Sequence, residues 1–143
     1  SAVMPRVALL LGLAGLIPFG YTALVTLRPE LTYDEFGARD VALGYGFAIF
    51  CFMSGAFWGF AAKSASRAAG LGYVLAVLPV LALLGVVASG YTTLLEALLV
   101  GFPALLPLDA FFTWRGMAPR WWLNLRLLLT AGVVIFLGVV TFG

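Results

Sequence analysis

The sequence predicts an all-α integral membrane protein, a compact bundle of five transmembrane helices in which residues 1–143 form a single domain. Hydrophobic residues make up 64% of the chain and charged residues only 10%, and the mean hydropathy is +1.12. A soluble domain carries about 25% charged residues, so this chain has too few charges to solvate its surface in water. Its eight basic and six acidic residues fall almost entirely in short clusters, and the apolar runs between the clusters are long enough to cross a bilayer.

The apolar runs give five predicted helices, each of roughly 18 to 23 residues, which suffices for a hydrocarbon core of ~30 Å. Their ranges in chain order are about 7–27, 41–62, 71–88, 92–114 and 121–142. The first is expected to end at Arg28-Pro29, because proline disfavours helical backbone in the residue before it. The third is expected to end at Ser89-Gly90, so that it forms an antiparallel hairpin with the fourth across a short loop.

Basic residues predict the orientation of this bundle. With five spans, the N-terminus and the loops after the second and fourth helices share one side of the membrane. That side carries five basic residues: Arg6, Lys63, Arg67, Arg115 and Arg120. The opposite side carries only Arg28 and Arg39, beside four acidic residues. Because cytoplasmic loops are enriched in lysine and arginine, the N-terminus is predicted to be cytoplasmic and the C-terminus outside.

Two segments are predicted to lie at the membrane interfaces. Trp114, Trp121 and Trp122 fall at the inner boundary, where amphipathic indole rings settle at the level of the lipid headgroups. In the outer loop, the run from Thr32 to Glu35 fits a capping box, which indicates the start of a short helix. The tryptophan positions agree with the orientation that the basic residues predict.

Histidine is absent from the chain, and Cys51 is its only cysteine. These absences remove the usual ligands of haem, zinc and copper and the usual proton shuttle near neutral pH. No cofactor, metal site or catalytic residue is therefore expected, and no nucleophile stands in a pattern that pairs it with a base. The net charge of +2, without a dense basic patch, gives no indication of nucleic acid binding.

Charged residues within a membrane span are costly, and their default interpretation is a functional site. Glu96 lies about one turn into the fourth predicted helix. The run from Thr93 to Glu96 is also a capping box, in which the carboxylate reaches back to backbone N–H groups at the helix start. Glu96 is therefore interpreted as part of a helix cap, with an ion or proton site as the alternative.

Asp109 and Arg126 are predicted to form an ion pair inside the membrane. Asp109 precedes Trp114 by five residues and Arg126 follows Trp121 by five. On adjacent antiparallel helices both side chains then lie at the same depth, about 7 to 8 Å inside the tryptophan boundary. The pair is interpreted as a staple between the fourth and fifth helices. A gating role, or the binding of a substrate carboxylate, is the alternative.

A stripe of small residues follows one face of the second predicted helix. Gly55 and Gly59 form a GxxxG motif, and Gly44 and Ala48 lie on much the same face. Small residues at this spacing let two helices approach closely. We call these four residues the small-residue stripe, and its partner is either another helix of the bundle or a separate membrane protein.

Three groups of segments carry a resemblance to a known family. They are Gly12–Phe19, Tyr45-Gly46 with Ser54–Gly59, and Leu108-Asp109 with Pro119–Trp122, Leu125-Arg126 and Thr130. Together they extend over most of the chain and resemble the transmembrane protein 69-like family, small bacterial and mitochondrial membrane proteins of unknown function. The sequence departs from the family pattern at Phe57, where the family carries a polar or basic residue. The resemblance implies an energy-transducing inner membrane, includes Asp109 and Arg126 in the shared pattern, and supplies no activity.

Two functions of different class fit these observations. The favoured hypothesis is a non-enzymatic accessory, structural or assembly subunit of a larger respiratory or photosynthetic membrane complex, with lipids and that complex as partners. The alternative is a small transporter or channel that uses Glu96 or the Asp109–Arg126 pair. The expected location is the bacterial cytoplasmic (inner) membrane, with the mitochondrial inner membrane as the second choice.

Overall fold

A computed structural model of the chain describes residues 3–31, 37–65 and 67–143, with Ala38 described in its backbone alone. The described residues form helices and turns and contain no β-strand. Seven α-helices follow one another: α1 (Arg6–Ala14), α2 (Ile17–Leu27), α3 (Ala38–Lys63), α4 (Ala69–Ala88), α5 (Leu94–Ala104), α6 (Leu106–Trp114) and α7 (Trp122–Phe142). A short 3₁₀ turn at Pro29–Leu31 follows α2. The short helix predicted from Thr32 to Glu35 lies outside the described residues.

Five helical segments within the described residues are long and apolar enough to cross a membrane. They are Arg6–Leu27, Arg39–Lys63, Ala69–Ala88, Leu94–Trp114 and Trp122–Phe142. Each agrees within a few residues with one of the five predicted helices. The predicted all-helical class and the number of apolar spans are therefore confirmed.

Proline breaks two of the five segments into pairs of helices. The first segment is interrupted at Gly15-Leu16, and Pro18 lies in the first turn of α2. The fourth is interrupted at Leu105, and Pro107 lies in the first turn of α6. Proline has no N–H group to donate to the preceding turn, and its ring crowds that turn. Pro79, in contrast, lies inside α4 without dividing it.

Buried phenylalanine rings fill the centre of the bundle. Phe50 contacts Phe102 edge to face at 5.5 Å between ring centroids, and Phe57 stacks on Phe112 at 4.8 Å. These four side chains, from α3, α5 and α6, are each at most 2% exposed. Phe57 is therefore a core residue. Its ring has no access to the surface, where a polar side chain would be solvated.

The outer surface of the bundle is largely apolar. Val7, Leu11, Ile17, Phe52 and Ile135 are between 63% and 68% exposed. Large apolar side chains also cover the outer faces of α4 and α7. A contiguous apolar surface of this extent is not typical of a soluble monomer.

Close helix contacts within the bundle depend on glycines outside the small-residue stripe. A Cβ atom added at Gly72 of α4 would lie 3.0 Å from Cβ of Ala61 and 3.1 Å from the Phe112 ring. A Cβ atom at Gly132 of α7 would lie 2.6 Å from Cδ1 of Leu16. A methyl group at Gly72 would press on the Cβ atom of Ala61, which can move only with its helix, whereas the flexible Leu16 side chain would have to turn away from a methyl group at Gly132.

Candidate functional site

Arg126 of α7 pairs with Asp109 of α6 inside the bundle. Nε of Arg126 donates a hydrogen bond to Oδ2 of Asp109 at 3.1 Å. The side chain of Asp109 is fully buried, and that of Arg126 is only 4% exposed. A tight turn between α6 and α7 brings them together, with Gly116 in the left-handed conformation (φ 74°) that terminates a helix and that glycine adopts without strain.

Trp122 supplies the second donor to the same carboxylate. Its indole Nε1 donates to Oδ1 of Asp109 at 2.8 Å, so each carboxylate oxygen accepts a hydrogen bond from α7. The Trp122 ring also packs edge to face against Phe60, with 4.9 Å between the ring centroids. We call Asp109, Trp122 and Arg126 the polar clasp. The sequence places Trp122 among the interfacial tryptophans, but its spacing of four residues before Arg126 puts both side chains on one face of α7.

The polar clasp joins α6 to α7 through charge and hydrogen bonds in addition to apolar packing. An ion pair inside an apolar bundle is stabilised by its own attraction and by hydrogen bonds, while removal of one partner leaves a buried charge uncompensated. Each carboxylate oxygen of Asp109 already accepts a hydrogen bond from α7. The geometry favours the predicted staple.

Arg126 keeps an unused donor. Its Nη2 atom is buried and has no hydrogen-bond partner, and the same holds for Oγ1 of Thr130, one turn further along α7. Ser54 Oγ of α3 is the third such side-chain atom among the described residues. Buried polar groups nearly always have a partner, so these atoms indicate where another molecule could bind.

Thr93 and Glu96 form the predicted capping box at the start of α5. The backbone N–H of Glu96 donates to Oγ1 of Thr93 at 3.3 Å, and the backbone N–H of Thr93 donates to Oε1 of Glu96 at 3.5 Å. The Thr93 hydroxyl also donates to that carboxylate at 2.9 Å. Glu96 is exposed on the surface of the bundle. Its interactions are those of a helix cap.

The small-residue stripe faces away from the bundle. Gly44, Ala48, Gly55 and Gly59 are all exposed on α3, on the side opposite the buried Phe50. A Cβ atom added at any of the three glycines would have no neighbour within 4 Å. Within the described residues these positions do not bring two helices together. A helix that packs closely against this stripe therefore has to come from outside the described residues.

Several of the residues that are predicted to lie on the same side of the membrane are found together at one end of the bundle. A cavity of about 1070 Å³ is lined by Val3 near the N-terminus, Lys63 at the end of α3, and Arg120 and Trp121 between α6 and α7. Trp114 at the end of α6 also lines it and is 79% exposed. The N-terminal segment and the two loops therefore lie together, as spans that alternate in direction require.

Among the described residues, no three His, Cys, Asp or Glu side chains come close enough to hold a metal ion. The polar clasp and the capping box each contain a single carboxylate with donors around it. Both arrangements can orient helices and bind a hydrogen-bonding partner.

Removal of either charge of the polar clasp is expected to destabilise the protein. Asp109→Leu and Arg126→Met are each expected to lower the free energy of unfolding by about 3–5 kcal/mol, because each leaves one buried charge without its partner. The double variant removes both charges and is expected to recover most of that loss. Denaturant unfolding of the four proteins in detergent gives the coupling energy. Losses that simply add would show that the two residues are not partners.

Comparison with curated proteins finds no match to this chain, and comparison with solved structures finds none either. A family model described as a protein of unknown function, DUF3429, matches residues 4–142. The match includes the polar clasp, the capping box and the small-residue stripe, so these features lie within the extent of one family domain. The chain belongs to the DUF3429 family of proteins of unknown function.

Proposed function

We propose that this protein is a non-enzymatic, multi-pass membrane subunit. It would serve as an accessory, structural or assembly component of a larger energy-transducing complex. The small-residue stripe carries this proposal. Its three glycines have open space around them in the isolated bundle, and exposed small residues at helical spacing are suited to close contact with another transmembrane helix. The energy-transducing inner membrane is what the resemblance to the transmembrane protein 69-like family implies.

The carboxylates support docking over transport. Asp109 is occupied by Trp122 and Arg126, and Glu96 caps the start of α5. A cavity of about 670 Å³ beside Glu96 is lined mostly by apolar side chains of α3, α4 and α5, such as Leu75, Leu83 and Val100. A hydrated ion path needs polar groups along its length. Glu96 with Thr92 at one end of an apolar cavity does not provide one.

The orientation of the proposed subunit follows from its basic residues, with the N-terminus in the cytoplasm and the C-terminus outside. In a Cys51→Ala background, Tyr91→Cys is expected to react with a membrane-impermeant maleimide added to intact cells. Ala65→Cys, in the loop that follows α3, is expected to react only after the membrane is permeabilised. The reverse pattern would show the opposite orientation, and equal labelling of both positions in intact cells would argue against membrane insertion with five spans.

The docking proposal is tested on native membranes solubilised in mild detergent. The wild-type protein is expected to migrate on a native gel, and to co-purify, as a stoichiometric part of a larger complex. Gly55→Leu and Gly59→Leu should release it from that complex, because each added side chain fills the space that a partner helix needs. Gly85→Leu is the matched control, since its added side chain also meets open space, on α4.

Two outcomes would contradict the docking proposal. A wild-type protein that migrates alone, and that carries a solute flux abolished by Asp109→Asn, would establish the transport alternative. Retention of the Gly55→Leu and Gly59→Leu variants in the complex would show that the small-residue stripe is not the docking surface.

A further inference from the structure

A cavity of about 390 Å³ opens on the side of the bundle between α1, α3 and α7. Leu11 of α1 and Phe52 of α3 line it and are both 68% exposed, so the cavity reaches the outer surface of the bundle. It exists because α1 contains no buried residue and has α7 as its main neighbour, whereas α2 packs on both α3 and α7. Its volume lies within the range of about 300–1,000 Å³ that is usual for small-molecule sites.

The wall of the cavity is apolar apart from a few residues with polar side chains. Four polar side chains line it: Tyr45, Trp122, Arg126 and Thr130. The Tyr45 hydroxyl already donates to the Gly15 carbonyl at 2.7 Å, and the Trp122 indole donates to Asp109. Nη2 of Arg126 and Oγ1 of Thr130 remain without partners. Both atoms have almost no accessible surface, so a ligand reaches them only when these side chains turn toward the cavity that they line.

The chemistry of these two atoms determines which polar group the ligand must carry. A guanidinium nitrogen can only donate, so the ligand must present an acceptor oxygen to Arg126. Thr130 lies one turn away on the same face of α7, and its hydroxyl can donate to the same oxygen. A carbonyl oxygen has two lone pairs and can accept both hydrogen bonds.

The charges already present at the site favour a ligand oxygen that belongs to a neutral group. Asp109, at 3.1 Å from Nε of Arg126, already compensates the guanidinium charge. An anionic head would add a second negative charge to a poorly solvated site that is balanced without it, which is costly. Apolar side chains such as Ile49, Met53 and Val133 form the rest of the wall and suit a hydrocarbon tail.

We infer that the cavity between α1, α3 and α7 binds a neutral membrane lipid through a carbonyl oxygen held by Arg126 and Thr130, with its apolar chain leaving between Leu11 and Phe52. This inference rests on the proposed membrane insertion and goes beyond the docking function. Two sources share the required chemistry: the ring carbonyl of a lipid quinone and the ester carbonyl of an acylglycerol.

Calorimetric titration of the purified full chain in detergent micelles separates these sources. The probes are decyl-ubiquinone, monoolein and, as the anionic comparison, oleate at pH 9. Saturable binding is expected for a neutral carbonyl probe, and the probe that binds more tightly identifies the head group. Absence of saturable binding by both neutral probes would overturn the inference, and tighter binding of oleate than of either would overturn the charge argument.

Three single variants test whether the lipid binds in this cavity. Ala8→Phe places a ring in the cavity wall and is expected to abolish binding, whereas Val7→Phe, at an exposed neighbour that does not line the cavity, should leave it unchanged. Thr130→Val keeps the shape of the side chain and is expected to weaken binding about 2- to 10-fold through the loss of one hydrogen bond. Equal affinities of Ala8→Phe and Val7→Phe would exclude this site. The readout uses the isolated protein, so it does not depend on a partner complex or on orientation.

Discussion

A fully buried carboxylate, Asp109, is the constraint on which the rest of the structure depends. An ionised group inside an apolar bundle requires donors and an opposite charge, and Trp122 and Arg126 supply both from one face of α7. The polar clasp thereby fixes the rotation of α7 about its own axis. Because α7 also contacts α1, α2, α3 and α5, this rotation determines which of its side chains meet the other helices.

The polar groups of the bundle divide into those that the chain satisfies and those that it leaves open. Asp109, Glu96 and the Tyr45 hydroxyl have partners within the chain, and their interactions hold helices in place. Nη2 of Arg126 and Oγ1 of Thr130 have none. The small-residue stripe is likewise unused by the bundle. Both proposals rest on these open groups rather than on the engaged carboxylates, because only the open groups lack partners within the described residues.

The sequence predicts the parts of this structure that depend on depth and composition. The five apolar spans follow from hydropathy, and the pairing of Asp109 with Arg126 follows from their equal distance from flanking tryptophans. The sequence places Trp122 at the interface with the other tryptophans, because composition cannot tell which indole has a buried acceptor nearby. The outward direction of Gly55, and the cavity beside Arg126, depend on how α1, α3 and α7 are rotated and tilted. Those angles result from the packing of the whole bundle, and no local pattern encodes them.

The most direct test of this account is hydrogen exchange at the tryptophan indoles, measured by NMR on the full chain in lipid nanodiscs. The hydrogen bond to the buried Asp109 predicts that the Trp122 Nε1 proton exchanges much more slowly than that of Trp114, which is 79% exposed. Asp109→Leu should remove most of that protection. Exchange at Trp122 as rapid as at Trp114 in the wild-type protein would contradict the account, because the carboxylate could not then be enclosed by the polar clasp.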